Sequence, residues 1–214
     1  MSEEAQIIID DQKKTSLKSF LLNNKKLIIT FILIILFSLF ASFFYIDHKK
    51  SKIVKISEQY NLAVINYKKD NPSSSISKMK DIINIKDSTY SPLALYFLLD
   101  NDLLRNKDEV NQYFDLLIEE VKLDKQIKSL IIYKKGLYNS ESASEEDLLK
   151  IFNPLINNDN LWKSHSLYII AEYFFSKNEM QKSKEFFQKI LELENSNPQI
   201  KLEAQKRLQR DFSV

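Results

Sequence analysis

A run of twenty residues without a charge, a proline or a glycine lies near the start of the chain, from Leu27 to Ile46. As a helix rising ~1.5 Å per residue, it would match the ~30 Å hydrocarbon layer of a bilayer. Lysines precede the run, and Asp47 and His48 follow it, so both ends stop at groups that are costly to bury in lipid. A core helix of a soluble protein would instead show a polar stripe. The run therefore predicts a single transmembrane helix over residues 27–46.

A cleaved signal peptide is the alternative interpretation of this run. Signal peptides have apolar regions of about 7–15 residues that end in a small-x-small cleavage site. Here the run is longer and ends in the bulky Phe43, Phe44 and Tyr45, and Tyr45 suits an interfacial anchor. The chain has no cysteine that a lipid could modify. We therefore expect an uncleaved signal anchor.

The charges that flank the span bear on its orientation. Five lysines precede it and four follow closely, which slightly favours a cytoplasmic N-terminus, although charge alone does not decide. The short first segment makes the same orientation the simplest. We expect residues 1–26 to form a short cytoplasmic tail and residues 47–214 to form one domain on the far side of the membrane.

The composition of residues 47–214 excludes several function classes. This part holds 26 Lys or Arg against 25 Asp or Glu, so it lacks the basic face that nucleic-acid binding requires. Gly136 is the only glycine in the chain, which argues against phosphate-cradling loops. His48 and His165 lie far apart and are interpreted as surface residues. We predict no catalytic, cofactor-binding or metal-binding residues, no cofactor, no nucleic acid and no small-molecule substrate, and hence no enzyme.

Apolar residues in this part recur at three- and four-residue spacing, which is typical of helices. Ser91-Pro92 and Asn197-Pro198 each place a capping residue before a proline at a predicted helix start. Ser144 and Asp147 have the spacing of a capping box. Segments of about 12–16 residues separated by short polar turns indicate antiparallel helix pairs. The sequence therefore predicts an all-α domain.

The last helix pair fits the 34-residue tetratricopeptide pattern. Small residues in that pattern let two helices approach closely while aromatic residues fill the space beside them. Residues 177–179 form the predicted turn, with Glu179 and Lys182 on the turn and the solvent face; Asn195 stands where proline is expected, and Ile190 where a small residue is usual. The predicted repeat-packing residues are Leu167, Ile170, Ala171, Phe174, Ser183 and Phe187.

Weaker copies precede this pair. Residues 105–117 are similar to residues 178–190, with Phe114 opposite Phe187 and Leu117 opposite Ile190. Residues 124–156 hold a degenerate third pair. An irregular helical bundle is the alternative, but turn chemistry and aromatic spacing recur together, so we expect an α-solenoid of degenerate tetratricopeptide-like pairs. A first copy at the same spacing comprises Ala63, Ser75, Met79 and Ile82.

This organisation resembles one family, the ancillary SecYEG translocon subunit (YfgM-like) and cell-division coordinator tetratricopeptide domain family, in its alphaproteobacterial form. Residues 153–162, which end in Trp162, are similar to the segment before the last repeat of that family. Phe186-Phe187-x2-Ile190-Leu191, followed by Pro198 and Ala204-x2-Arg207-Leu208, resembles its C-terminal end. The resemblance implies a bacterial inner-membrane protein, with a cytoplasmic N-terminus and periplasmic repeats that bind the translocon or periplasmic chaperones. It carries over no catalytic residues.

Three functions follow as hypotheses. The first is a membrane-tethered interaction module, because stacked helix pairs create extended binding surfaces without catalytic chemistry. The second is a structural scaffold of an envelope or division complex, which differs only in the lifetime of its contacts. The third is a membrane-anchored hydrolase, which would need a buried carboxylate or histidine that none of the apolar stripes carries. The partner, the binding face, the oligomeric state and the exact number of repeats do not follow from the sequence.

Overall fold

The computed structural model describes residues 24–68 and 72–212, and within those ranges the regular secondary structure is helical, with no strand. The all-α prediction is confirmed for this part of the chain. The helices, in chain order, are α1 (Lys25–Lys68), α2 (Pro72–Asn84), α3 (Tyr90–Asp100), α4 (Lys107–Glu119), α5 (Lys125–Asn139), α6 (Glu145–Ile156), α7 (Lys163–Ser176), α8 (Met180–Glu192) and α9 (Pro198–Phe212).

The first helix, α1, contains the apolar run and is long and apolar enough to cross a membrane. Its most apolar window of 18 residues has a mean hydropathy of 2.8, and none of that window is buried inside the protein. Phe37 is 75% exposed and Tyr45 is 72% exposed. A continuous apolar surface of this kind is unfavourable in water, which supports a membrane anchor at this helix.

Helix α1 does not end where the apolar run ends. It continues without a break through the charged residues that follow the run, as far as Lys68. Residues 47–68 contain no proline or glycine that would interrupt it. The chain divides into two compact units, Met1–Ile56 and Ser57–Val214, so α1 contributes to both. The predicted tail, residues 1–26, lies almost entirely outside the described residues.

Within the second unit, helices that follow one another in the chain pack together. The most extensive contact joins α7 and α8, and those between α2 and α3 and between α8 and α9 come next. Only residues 177–179 connect α7 to α8. A connection this short makes the two helices antiparallel neighbours.

One spacing recurs in four successive helix pairs of this unit. In each pair, a buried residue of the first helix is followed twelve positions later by a buried residue of the second helix. These couples are Ala63 with Ser75, Leu98 with Val110, Gly136 with Leu148, and Ala171 with Ser183. The second helix then buries two larger side chains, four and seven positions further on, which are Met79 and Ile82, Phe114 and Leu117, Phe152 and Leu155, and Phe187 and Ile190.

The first and the last of these pairs share a hydrogen bond as well. Ser75 Oγ donates to the carbonyl oxygen of Ala63 at 2.8 Å, and Ser183 Oγ donates to the carbonyl oxygen of Ala171 at 2.9 Å. Each hydroxyl is fully buried, so the bond removes the cost of desolvating it. A side chain as short as serine reaches the backbone of the partner helix only if the two helices lie close together.

In the last three of these pairs, the extent of contact between the helices follows the size of the paired residues. Helices α7 and α8, with Ala171 and Ser183 between them, have the most extensive contact, and α5 and α6 have less. Of these three pairs, α3 and α4, which carry Leu98 and Val110 at the corresponding positions, have the least contact. Larger side chains at a crossing hold two backbones apart, because protein interiors are already close-packed.

Three helices end at residues in the left-handed backbone region, and none of the three is glycine. Lys86 has φ 60°, Asp102 has φ 52° and Asn178 has φ 61°. After α7, Asn178 N–H donates to the carbonyl oxygen of Phe175 at 3.0 Å and Glu179 N–H donates to that of Phe174 at 2.9 Å. This pair of bonds is the Schellman arrangement, which turns the chain tightly at a helix end. The predicted turn at residues 177–179 is therefore built on Asn178.

Helix starts follow the sequence expectation at two sites and depart from it at one. Ser144 Oγ accepts from Asp147 N–H at 3.1 Å, and Asn197 Oδ1 accepts from the first-turn N–H groups of α9. Helix α3, however, begins at Tyr90 rather than at the predicted Ser91-Pro92. Asp87 Oδ1 accepts from the N–H groups of Thr89 and Tyr90, which moves the helix start upstream of the proline.

Candidate interaction site

The six predicted repeat-packing residues lie together in α7 and α8, and each is at most 4% exposed. Five of them are divided between two hydrophobic core clusters. Ile170 and Phe174 belong to a cluster that includes Phe152, and Leu167, Ala171 and Phe187 belong to one that includes Ala204 of α9. These residues therefore form the interior of the second unit rather than a ligand-contacting surface.

Lys182 is at the surface, with its side chain 45% exposed, but it also has partners in other segments. Its Nζ donates to both carboxylate oxygens of Glu145 in α6 at 2.9 Å and lies 2.8 Å from Glu179 Oε2. It also lies 4.9 Å from the ring centroid of Phe174. Its neighbours in space come from two other segments, and spacing along α8 alone cannot show them.

An arginine joins the last helix, α9, to α7. Arg207 Nε and Nη2 donate to the two carboxylate oxygens of Glu172 at 2.7 Å and 2.8 Å, and Nη1 donates to Asp211. The guanidinium carbon lies 4.3 Å from the ring centroid of Phe175, and the side chain is only 12% exposed. A bidentate, stacked arginine of this kind has a structural role, because its donors are already used.

A cleft of about 790 Å³ lies on this unit where the N-terminal ends of α5, α7 and α9 come together. We call it the Trp162 cleft, after the single tryptophan of the chain. It differs from the core because most of its lining residues are polar and come from loops and helix starts. The lining consists of Gln126, Asp159, Asn160, Leu161, Trp162, His165, Asn195, Ser196, Asn197 and Pro198.

Two rings, those of Trp162 and His165, line the Trp162 cleft, and Tyr133 packs against both of them. Tyr133 stacks on Trp162 with centroids 4.9 Å apart and an interplanar angle of 22°, and His165 lies 5.2 Å from Trp162 and 5.9 Å from Tyr133. Asn160 Oδ1 accepts from the backbone N–H of Trp162 at 2.9 Å, which fixes the loop that carries the indole. Leu161 beside it is 70% exposed.

Two buried polar atoms of this cleft have no hydrogen-bond partner. Among the described residues, the buried side-chain atoms without a partner are His165 Nδ1, Ser196 Oγ and Tyr96 Oη, and the first two line the Trp162 cleft. Such atoms normally find a partner in protein or water, because leaving one unpaired costs about 1–3 kcal/mol. Both atoms are buried beneath the lining of the cleft, out of contact with solvent, and the Leu161 backbone lies close enough to the His165 ring to raise its pKa.

Burial also affects the charge of the cleft. It lowers the pKa of His165 below its ordinary value of 6.5, while the Leu161 carbonyl acts in the opposite direction. His165 is therefore neutral near pH 7. With the histidine neutral, Asp159 is the one charged residue in the lining, so the lining has one negative charge and no positive charge.

A second groove, of about 640 Å³, lies between α4, α5 and α6, and several of its polar side chains pair with one another. Lys135 pairs with Asp115, and Lys107 donates to Ser142. On its floor Asn139, 4% exposed, exchanges amide hydrogen bonds with Asn111 at 2.7 Å and 3.2 Å.

Within residues 24–68 and 72–212, no group of three or more His, Cys, Asp or Glu residues could hold a metal ion. The buried serine hydroxyls of Ser75 and Ser183 are committed to backbone carbonyls. The described residues thus place no metal-ligand cluster in either groove.

Comparisons of the chain with known families, with curated proteins and with solved structures find no match.

Sequence reasoning did not find the Trp162 cleft. It interpreted His165 as a surface residue and quoted Trp162 only as the end of a similar segment. The available signal was the two asparagine-rich loops, residues 157–160 and 195–197, each directly before a helix. Loops of this kind satisfy their own backbone, and only the fold shows that these two border the same space.

Proposed function

We propose that the chain is a membrane-tethered protein-interaction module, in which α1 anchors an α-solenoid of tetratricopeptide-like helix pairs. The observation that carries this proposal is the twelve-residue step between buried residues in four successive helix pairs. A step that recurs with its two larger buried side chains is typical of stacked repeats, since each pair contacts mainly its neighbours.

Helix α9 supports this proposal. Ala204 of α9 is fully buried, 33 positions after Ala171, and packs in the cluster that contains it. Other parts of α9 are exposed, including Leu202 at 51%. A helix with one buried side and one solvated side covers the core of the pair before it, as stacked repeats require.

The apolar part of α1 would hold the proposed interaction module at a membrane. We propose that residues 27–46 span the bacterial inner membrane once, with the N-terminus in the cytoplasm and the C-terminal domain in the periplasm. The apolar, exposed surface of α1 supports the anchor. The lysine excess before the span supports the orientation. A tether raises the effective concentration of a weak binding surface near membrane partners.

The proposed partners are other proteins of the membrane or envelope. The resemblance of residues 153–162 and of the C-terminal segment to the YfgM-like family supports the translocon or a periplasmic chaperone. The balanced charge of residues 47–214 supports a protein partner over nucleic acid. A partner held for long periods would make the chain a scaffold, with the same surface in use.

Site-specific photo-crosslinking in living cells tests this function. A benzophenone side chain replaces Leu93 or Leu137, which are 41% and 45% exposed, and in a matched control it replaces the exposed Gln188 of α8. We expect discrete protein adducts from the apolar positions, identified by mass spectrometry. Translocon subunits or periplasmic chaperones among the adducts support the proposed partners, and division proteins would assign the module to another complex. Absence of any protein adduct at all three positions contradicts the interaction function.

A further inference from the structure

We propose that the four lysines directly after the span, Lys49, Lys50, Lys52 and Lys55, bind the headgroups of anionic phospholipids in the leaflet on the side of the C-terminal domain. We call these four residues the lysine collar. The inference rests on the membrane anchor of the proposed function and deepens it by naming the class of lipid around the anchor. It holds for either orientation of the chain, because the collar and the C-terminal domain follow the span on the same side.

Positive charge is concentrated in the segment that carries the collar. Residues 47–56 contain the four lysines against one acid, Asp47, whereas residues 57–214 contain 22 Lys or Arg against 24 Asp or Glu. The positive excess of the chain beyond the span therefore lies within ten residues of the end of the apolar run. A partner that neutralises this excess is negatively charged and lies close to the membrane.

The collar has no counter-charge within the part of the chain that the structure describes. Its four side chains are exposed, and none of the ion pairs between described residues involves one of them. Lysines of the second unit differ in this respect, as Lys80 shows, because its Nζ lies 2.6 Å from a carboxylate oxygen of Glu109. The charges of the collar are therefore available to an anion outside the chain.

Helix α1 places the collar at the depth of the headgroups. The helix continues through the end of the apolar run, so Lys49 and Lys55 follow Ile46 by about 4.5 Å and about 14 Å along its axis. The attraction of an anionic bilayer surface extends for about one Debye length, which is ~8–10 Å at moderate salt. Long lysine stems also let the ammonium groups reach toward the phosphates. The collar thus lies within or next to the headgroup layer.

The directions of the four side chains favour lipid over a single protein partner. At about 100° per residue, Lys50 points about 100° to one side of Lys49, and Lys52 and Lys55 point about 60° and 120° to the other side. Headgroups surround a membrane helix on every side, whereas a bound protein or nucleic acid would meet one face. Three of the lysines are spaced three positions apart, where like charges on a helix repel, and surrounding anions would relieve this repulsion.

The chemistry of the lysine side chain suits a phosphate group. Its ammonium group is a compact charge with three donors on a flexible stem, which can follow a mobile headgroup. Hydrogen bonds from an ammonium to a phosphate oxygen are charge-assisted and stronger than neutral ones. A zwitterionic headgroup carries its own cation beside the phosphate, so it offers the collar less net attraction than an anionic headgroup does.

Quenching by brominated lipid measures this preference in a bilayer. The full chain carries Tyr45→Trp as a fluorescent reporter at the collar end of the span, and Trp162→Phe removes the single native tryptophan. It is reconstituted in phosphatidylcholine vesicles that contain either phosphatidylglycerol or phosphatidylcholine brominated near the headgroup end of the acyl chains. We expect the quenching to show about fivefold tighter association of phosphatidylglycerol, the effect of one lysine on one anionic headgroup.

Two quadruple variants with the same change in net charge locate the effect. Replacing the four collar lysines by glutamine should reduce the ratio of the two lipid affinities to about one. The control replaces four exposed lysines of the second unit by glutamine and should leave the ratio unchanged; these are Lys122, Lys125, Lys128 and Lys150. A ratio of one in the parent chain would overturn the proposal, as would a preference that survives the collar variant or is lost equally in both variants.

A soluble anion is the other source of the same chemistry. Inorganic phosphate and sodium chloride at equal ionic strength should weaken the preference equally, because both only screen it. Selective competition by phosphate would assign the collar to a free anion and overturn the lipid assignment. Flotation separates this inference from the proposed function. A chain that does not float with the vesicles would refute the anchor, whereas a chain that floats without preferring phosphatidylglycerol would refute the collar alone.

Discussion

Gly136 of α5 occupies the tightest contact between α5 and α6, and replacing it by alanine is the sharpest test of how these helices cross. A Cβ added there would lie 2.2 Å from Cζ and 2.4 Å from Cε1 of Phe152. Carbon atoms in ordinary contact lie about 3.5–4.0 Å apart, so the ring would have to retreat by more than ~1 Å. Phe152 is fully buried in a cluster with Ile170 and Phe174, which leaves it little free space.

Two effects of opposite sign set the magnitude. Inserting a methyl group into a packed core costs about 1–3 kcal/mol, and a contact this short lies at the upper end. Alanine also favours the helix over glycine by about 1 kcal/mol. We therefore expect Gly136→Ala to lower the free energy of unfolding by about 2 kcal/mol.

Urea unfolding of the full chain in a mild detergent, followed by the emission of Trp162, measures this change. The control is Lys128→Ala at an exposed position of the same helix, where we expect a change within about ±0.5 kcal/mol. A second background isolates the cause. In Phe152→Leu the ring is absent, so Gly136→Ala should become neutral or stabilise the protein by up to about 1 kcal/mol.

The change of sign between the two backgrounds is the decisive result. If Gly136→Ala stabilises the chain while Phe152 is intact, the ring does not pack against Gly136. If the loss is the same in both backgrounds, its origin lies elsewhere, and the close crossing of α5 and α6 is wrong.

Four further predictions concern the packing, the cleft and the membrane. Ala171→Leu should lower the free energy of unfolding by about 1–3 kcal/mol in the same urea assay, whereas Gln188→Leu on the exposed face should stay within about ±0.5 kcal/mol. Burial lowers the folded-state pKa of His165 below 6.5, so the unfolded chain binds the proton more readily than the folded chain as the pH decreases. Lowering the pH from 7.5 to 5.5 should therefore lower the thermal midpoint, and should lower it less in His165→Gln. The chain should stay in the membrane pellet after carbonate extraction, and a mature chain that begins after residue 43 would contradict the uncleaved anchor. A phosphatase that is active only in the periplasm, fused after the C-terminus, should be active, and a fluorescent cytoplasmic fusion would reverse the topology.

Periodicity predicted the helices well because their stripes depend on local spacing. The same holds for the last helix pair, where Ala171 and Ser183 carry their size and separation in the sequence itself. Gly136 is harder to interpret, because glycine in a helix normally indicates weakness, and only the position of Phe152 shows why a larger residue does not fit. The start of α3 was misplaced for a similar local reason, since Asp87 competes with the Ser91-Pro92 pair as the capping signal.

The Trp162 cleft was beyond sequence reasoning for a different reason. Its lining comes from three segments, represented by Gln126, Asn160 and Asn195, which are about 35 positions apart along the chain. Polar residues in short loops are ordinary, and periodicity carries no information about which loops meet. The unpartnered state of His165 Nδ1 and Ser196 Oγ is a property of the folded chain, so no pattern of residue types reveals it.

The uneven closeness of the helix pairs has a mechanical consequence. In a linear array, rupture begins at the joint with the least contact, and the blocks on either side open as cooperative units. From α2 to α9, that joint lies between α3 and α4, whereas α7, α8 and α9 are held by the Ala171–Ser183 crossing and by Arg207. Under a pull on the two ends of this stretch, the helices would separate first near Leu98 and Val110. The helices around the Trp162 cleft would be among the last to yield.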